Sequence, residues 1–119
     1  MNFTTTENDN LRLLSNSQKY TVNAVIIHTS NTLTHEMAKA KICYYLKKNN
    51  RKFVCEATFE NGSRADVFDI TWGVAYELIV HETDLSIENK REKYPVPIYP
   101  IKARYILKTK YSDLDTYLN

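Results

Sequence analysis

Hydrophobic and polar positions change their spacing three times along this chain. The first 19 residues are polar and without period, which predicts a flexible or irregular arm. Residues 20–29 (YTVNAVIIHT) are apolar and rich in β-branched side chains, and predict a strand. Residues 30–34 offer several N-caps, and a helix is expected from there to about residue 48. In it Leu33, Met37, Ala40 and Tyr44 recur at helical spacing and form the expected buried stripe. Glu36 falls in the first turn, where the helix dipole favours a negative charge.

From residue 52 the period becomes two. Phe53, Cys55, Ala57 and Phe59 alternate with Val54, Glu56 and Thr58, the pattern of a strand. Asn61-Gly62 marks a hairpin, because both residues accept positive φ. A second strand is expected over residues 63–70, a turn at Thr71-Trp72-Gly73 with Asp69 as its capping acid, and a third strand over 74–80. Thr83 or Asp84 can cap a second helix that runs to residue 93 and stops at Pro95. Residues 96–101 predict a short strand whose prolines confine it to an edge, and residues 112–118 a last short helix. The order is helix, three-strand antiparallel meander, helix, strand. It predicts an α/β fold, a sheet covered by helices, in one domain over residues 1–119 with its core at about 34–101.

Composition narrows the class. With 43% hydrophobic, 25% charged and 12% aromatic residues, including nine tyrosines, the chain belongs with folded globular proteins rather than disordered ones. No apolar run is long enough to span a membrane, and the first ten residues (MNFTTTENDN) lack the apolar core of a secretory signal, so an intracellular location is expected. Cys43 and Cys55 are not in a zinc-type spacing and read as two buried thiols. The net charge of +2 decides little, but its distribution is uneven. Residues 39–52 and 93–110 are basic and free of acids, whereas residues 56–92 hold nine of the fourteen carboxylates. Basic flanks around an acidic centre suit an enzyme that grips phosphates and holds a divalent cation.

The acids of the meander carry the chemistry. A two-residue turn at Thr71-Trp72 pairs Ile70 with Gly73, and counting back sets Asp66 opposite Glu77. Two like charges so opposed need a protein cation, a shared proton or a metal ion between them. Mg²⁺ (or Mn²⁺) fits, since it takes hard oxygen ligands and usually only one or two protein carboxylates.

The segments Ser63-Arg64-Ala65-Asp66-Val67-Phe68-Asp69 and Val74-Ala75-Tyr76-Glu77-Leu78-Ile79 resemble the core of the PD-(D/E)xK nuclease superfamily. The similarity is greatest to competence-associated nucleases and to small archaeal or viral Holliday-junction-type nucleases, and it covers about residues 34–101. It implies a restriction-endonuclease-like core (αβββαβ) and a Mg²⁺-dependent DNA endonuclease acting on branched or single-stranded DNA. Asp66 and Glu77 would then be the metal ligands, and Glu36 the helix carboxylate that orders the metal or its water. The family's lysine belongs two residues after the second acid, where this chain has Ile79. Lys90 is the expected replacement for the electrostatic part of catalysis, with Lys93 one turn later in reserve. Phosphate contacts are expected from Lys47, Lys48, Arg51 and Lys52 and from the basic C-terminal stretch. A homodimer is expected too, with the 96–101 strand and the last helix as surfaces. His81 and Trp72 read as ordinary strand-end and turn residues. The rival expectation is a non-catalytic nucleic-acid-binding or assembly protein on a decayed nuclease fold, favoured by Ile79.

Overall fold

The computed structural model describes residues 1–15, 21–81 and 92–119. The helix expected over 83–93, and Lys90 with it, lies almost wholly outside the described residues.

The N-terminus is not the arm its polarity predicts. Thr5–Leu11 forms helix α1, closed by a capping box: Thr4 Oγ1 accepts from Glu7 N at 3.1 Å, and Glu7 Oε1 accepts from Thr4 N at 2.9 Å. Glu7 is buried and bonds Lys52 Nζ at 3.0 Å and the Thr71 hydroxyl at 2.7 Å, while Asn10 Nδ2 donates to Ile70 O at 2.8 Å. The polar side chains of α1 are thus the bolts that fix it to the meander, which is why a hydrophobicity pattern misses it. The strand expected at 20–29 is likewise absent from the described part of that segment. Val22 makes a single bridge to Val54, after which Asn23, at φ 64°, turns the chain off the sheet edge.

Helix α2, Leu33–Lys48, starts at the Thr32 cap as expected, but presents a different face to the core. Leu33, Met37 and Tyr44 are 74, 50 and 62% exposed. The buried face carries Ala38, Ile42, Cys43 and Leu46 together with His35, Glu36 and Lys39. Three polar groups that bond one another are turned inward, and this sets the helix rotation against the stripe of larger apolar residues.

The meander follows the expected order: β1 Phe53–Thr58, β2 Arg64–Asp69 and β3 Val74–Ile79, all antiparallel, then β4 Ile98–Lys102 parallel to β3. The result is a mixed, open four-strand sheet in the order β1-β2-β3-β4. β4 tolerates Pro100 because it is an edge strand. Helix α3, Ala103–Lys108, follows β4 directly and was not expected. Its last carbonyls are satisfied by Lys41 of α2, whose Nζ donates to Ile106 O at 2.8 Å and Thr109 O at 2.6 Å. The last helix expected at 112–118 is divided into a 3₁₀ turn, Tyr111–Asp113, and a short α4, Asp115–Leu118.

Two cores lie on the two faces of the sheet. One packs α2, α3 and α4 (Ile42, Leu46, Ile106, Leu118) on Phe53, Cys55, Val67, Tyr76 and Leu78. The other packs Leu11 and Leu14 on Val54, Ala57, Phe59, Phe68 and Ala75. Strict alternation along β1 would send Ala57 to the same face as Cys55, but it goes to the opposite one. The switch occurs at Glu56, whose φ of 53° rotates the strand by one position. The thiols of Cys43 and Cys55 are free and buried, as expected, and hydrogen-bond to each other. Among the described residues no helix is long and apolar enough to cross a membrane.

Candidate functional site: two carboxylates where the central strands part

The register expected from the Thr71-Trp72 turn is the register observed. β2 and β3 pair Asp69 with Val74, Phe68 with Ala75 and Val67 with Tyr76, so one further step opposes Asp66 to Glu77. Asp69 serves the turn, accepting from Trp72 N at 2.9 Å.

At Asp66 the ladder stops. Its Oδ2 takes the backbone N–H of Leu78 at 2.7 Å, so the carboxylate replaces a strand as hydrogen-bond partner. His35 Nε2 lies 3.2 Å from the same oxygen, and Asp66 and Glu77 share a hydrogen bond. Two carboxyl groups this close repel when both are charged, and a cation or a proton between them relieves the repulsion. Burial raises the Asp66 pKa, but His35 and the Leu78 N–H outweigh it and hold the group below its ordinary value. Glu77 also accepts from the Tyr94 hydroxyl at 3.1 Å, and the same hydroxyl meets Arg64 O.

Behind this pair runs a chain of buried ions. His35 Nδ1 is 3.1 Å from Glu36 Oε1, so one imidazole bridges Glu36 and Asp66. Its hydrogen bond to Asp66 raises its pKa, against burial, which favours the imidazolium that donates from both nitrogens. Glu36 further accepts from Asn31 Nδ2 at 2.7 Å and from Lys39 at 2.5 Å. Burial would raise its carboxyl, but Lys39, Asn31 and the His28 N–H bring it down to about 2. Lys39, 0% exposed, joins Glu36 to Glu56 at 2.7 Å, and Glu56 meets Arg64 at 3.6 Å. The rotation of β1 at Glu56 makes this contact, since it turns that side chain toward α2.

Asp66 and Glu77 stand between two cavities. One, of about 440 Å³, is lined by Glu56, Arg64, Lys93 and Tyr94 besides the pair. The other, of about 420 Å³, is lined by His35, Leu78, Val80 and His81. Asp66 and Glu77 are therefore brought together, and the reserve Lys93 reaches their cavity. Glu36 lines neither cavity and is joined to Asp66 through His35. Two of the expected phosphate contacts are otherwise engaged: Arg51 is buried on Asp69 at 2.7 Å, and Lys52 is paired with Glu7. Arg51 is held by an acid of the meander and Lys52 by one of α1, while Lys47 and Lys48 are exposed at the far end of α2.

His35, Lys39 and Glu56 were missed. A signal existed for each: positions 35, 39, 42 and 46 form a second helical stripe, and Glu56 is an acid inside an apolar strand. Among the described residues no group of three or more His, Cys, Asp or Glu side chains forms a metal cage. A pair of carboxylates on an open cavity is instead the arrangement that suits magnesium, which leaves most of its coordination to water and phosphate. Compared with known proteins, the chain matches no family model, no curated protein and no solved structure.

Proposed function

We propose that the protein is a magnesium-dependent deoxyribonuclease that hydrolyses phosphodiester bonds, on a restriction-endonuclease-like core. The observation that carries the reading is the hydrogen-bonded Asp66–Glu77 pair at the point where β2 and β3 part, open to a cavity that also holds Arg64 and Lys93. Asp66 and Glu77 would hold the divalent ion. Magnesium, or manganese in its place, supplies Lewis acidity toward water and phosphate when bound.

The chain's own residues do the rest. Leu78 N–H and His35 fix the Asp66 carboxylate through one of its oxygens, which would set its orientation as a ligand. The Tyr94 hydroxyl orients Glu77. Arg64 and Lys93 stand on the cavity wall as cations for a phosphate, and Lys93 takes the electrostatic part that Ile79 does not supply. Glu36 and Lys39 hold His35 and Glu56 in place from behind.

The test is nicking of supercoiled and branched DNA with Mg²⁺ or Mn²⁺, comparing wild type with Asp66→Asn and Glu77→Gln. Metal-dependent cutting that falls by about 10²–10³ in each variant supports the reading. Ile79, where the resemblance places a lysine, favours one other reading, a nucleic-acid-binding protein without catalysis. DNA binding with no cutting by wild type on any substrate form would establish that alternative.

A further inference from the structure

A third cavity, of about 400 Å³, adjoins the site and has no part in the chemistry above. It is lined by Thr34, Val80, His81, Lys102 and Arg104. Val80 and His81 are shared with the cavity behind Asp66 and Glu77, and those two acids are shared in turn with the cavity of Arg64 and Lys93. The three cavities thus adjoin in a row along a surface groove, with cations lining the two outer ones and the carboxylate pair between.

The parallel register explains the placing. Glu77 pairs with Pro100 and Ile79 with Lys102, so Lys102 lies one strand over and two residues on from Glu77. Strand spacing puts their Cα atoms about 8 Å apart, within the reach of one nucleotide step plus a lysine side chain.

Lys102, Arg104 and Lys108 surround the Tyr105 ring at 5.5, 5.4 and 4.7 Å. Arg104 and its two neighbours hold the Tyr105 phenol below its usual range. Among the described residues none of these three cations has a carboxylate partner, whereas Lys39, Arg51 and Lys52 each have one. Three like charges held around one aromatic ring repel one another, and a polyanion laid over them relieves the repulsion.

We propose that the Lys102–Arg104 cavity is a phosphate subsite that holds a single polynucleotide strand beyond the bond at Asp66 and Glu77. The proposal rests on the nuclease reading and deepens it: the substrate is a chain with phosphates on both sides of the reacting one, laid through the groove.

The test measures binding alone. Fluorescence anisotropy follows a labelled single-stranded oligodeoxynucleotide in metal-free buffer, over a range of salt. Lys102→Gln/Arg104→Gln is compared with Arg12→Gln, which removes an exposed cation beside α1, away from every expected phosphate contact. The expected result is an affinity loss of about tenfold or more for the first variant, with the salt slope reduced by about 1.4 for two single-strand phosphate contacts. The second variant should change affinity by less than about twofold. Equal losses in the two variants, or none in the first, would overturn the subsite. Because no cleavage is read, the two proposals fail separately: a strand bound through Lys102 and Arg104 but never cut keeps the subsite and removes the nuclease.

Discussion

Lys39→Met offers the most direct test of the buried ion chain. Lys39 is fully buried, with Glu36 at 2.5 Å and Glu56 at 2.7 Å, and methionine keeps its length while removing its charge. The two carboxylates would then lose the cation between them, leaving Glu36 to His35 and Glu56 to the more exposed Arg64. Breaking a buried pair this way costs about 3–5 kcal/mol, against a total stability of about 5–15 kcal/mol for a domain. At about 4 °C per kcal/mol for a chain of this size, Tm should fall by about 12–20 °C.

The pH dependence makes the cause identifiable. Glu36 is lowered from 4.5 to about 2, a difference of about 3 kcal/mol that is present above pH 4.5 and lost as pH falls toward 2. Without Lys39 the carboxyl loses the strongest of the interactions that lower it, so its pKa moves back toward the unfolded value and less stability is lost on acidification. The gap between wild type and variant should therefore narrow from pH 7 to pH 4 in urea unfolding, and Glu56→Gln added to Lys39→Met should recover part of the loss. A penalty below about 1 kcal/mol at pH 7, or the same penalty at both pH values, would refute the account.

Two further outcomes are expected. Arg51 donates to Asp69, to the Tyr76 hydroxyl at 3.0 Å and to Asn119 at 3.1 Å, and stacks on Trp72. Arg51→Ala should cost about 3–5 kcal/mol in chemical denaturation, and Arg51→Lys should restore only a small part, because one ammonium cannot replace a planar fork. On α2, Met37→Gln should change stability by less than about 0.5 kcal/mol, whereas Ile42→Ala should cost about 2–5 kcal/mol, which urea midpoints will separate.

What the sequence revealed and what it concealed divide along one physical line. Features set by local backbone chemistry were legible: the Asn61-Gly62 turn, the Thr32 cap region, and the Thr71-Trp72-Gly73 turn that fixes the register of Asp66 and Glu77. Features set by buried polar groups were not. Reading polar residues as outward placed Leu33, Met37 and Tyr44 in the core, when His35, Glu36 and Lys39 claim that side of α2. The same assumption left α1 as an arm, though Glu7 and Asn10 anchor it. The two acids could be found from spacing, but the ions behind them required the fold.

The anchoring of α1 has a consequence for how the chain is made. Residues 4–11 leave the ribosome before their partners Lys52, Ile70 and Thr71. The helix must wait for the chain as far as Thr71 before it can dock, with a nascent β1 uncovered meanwhile. Leu14 bridging Phe59 and Ser15 N–H donating to Thr58 O are what finally cover that edge. Translation speed through the meander thus sets how long the chain is open to mispairing with its neighbours on a polysome. A variant trimmed of its first 14 residues would keep that exposure for life, with aggregation rather than loss of chemistry as the first defect.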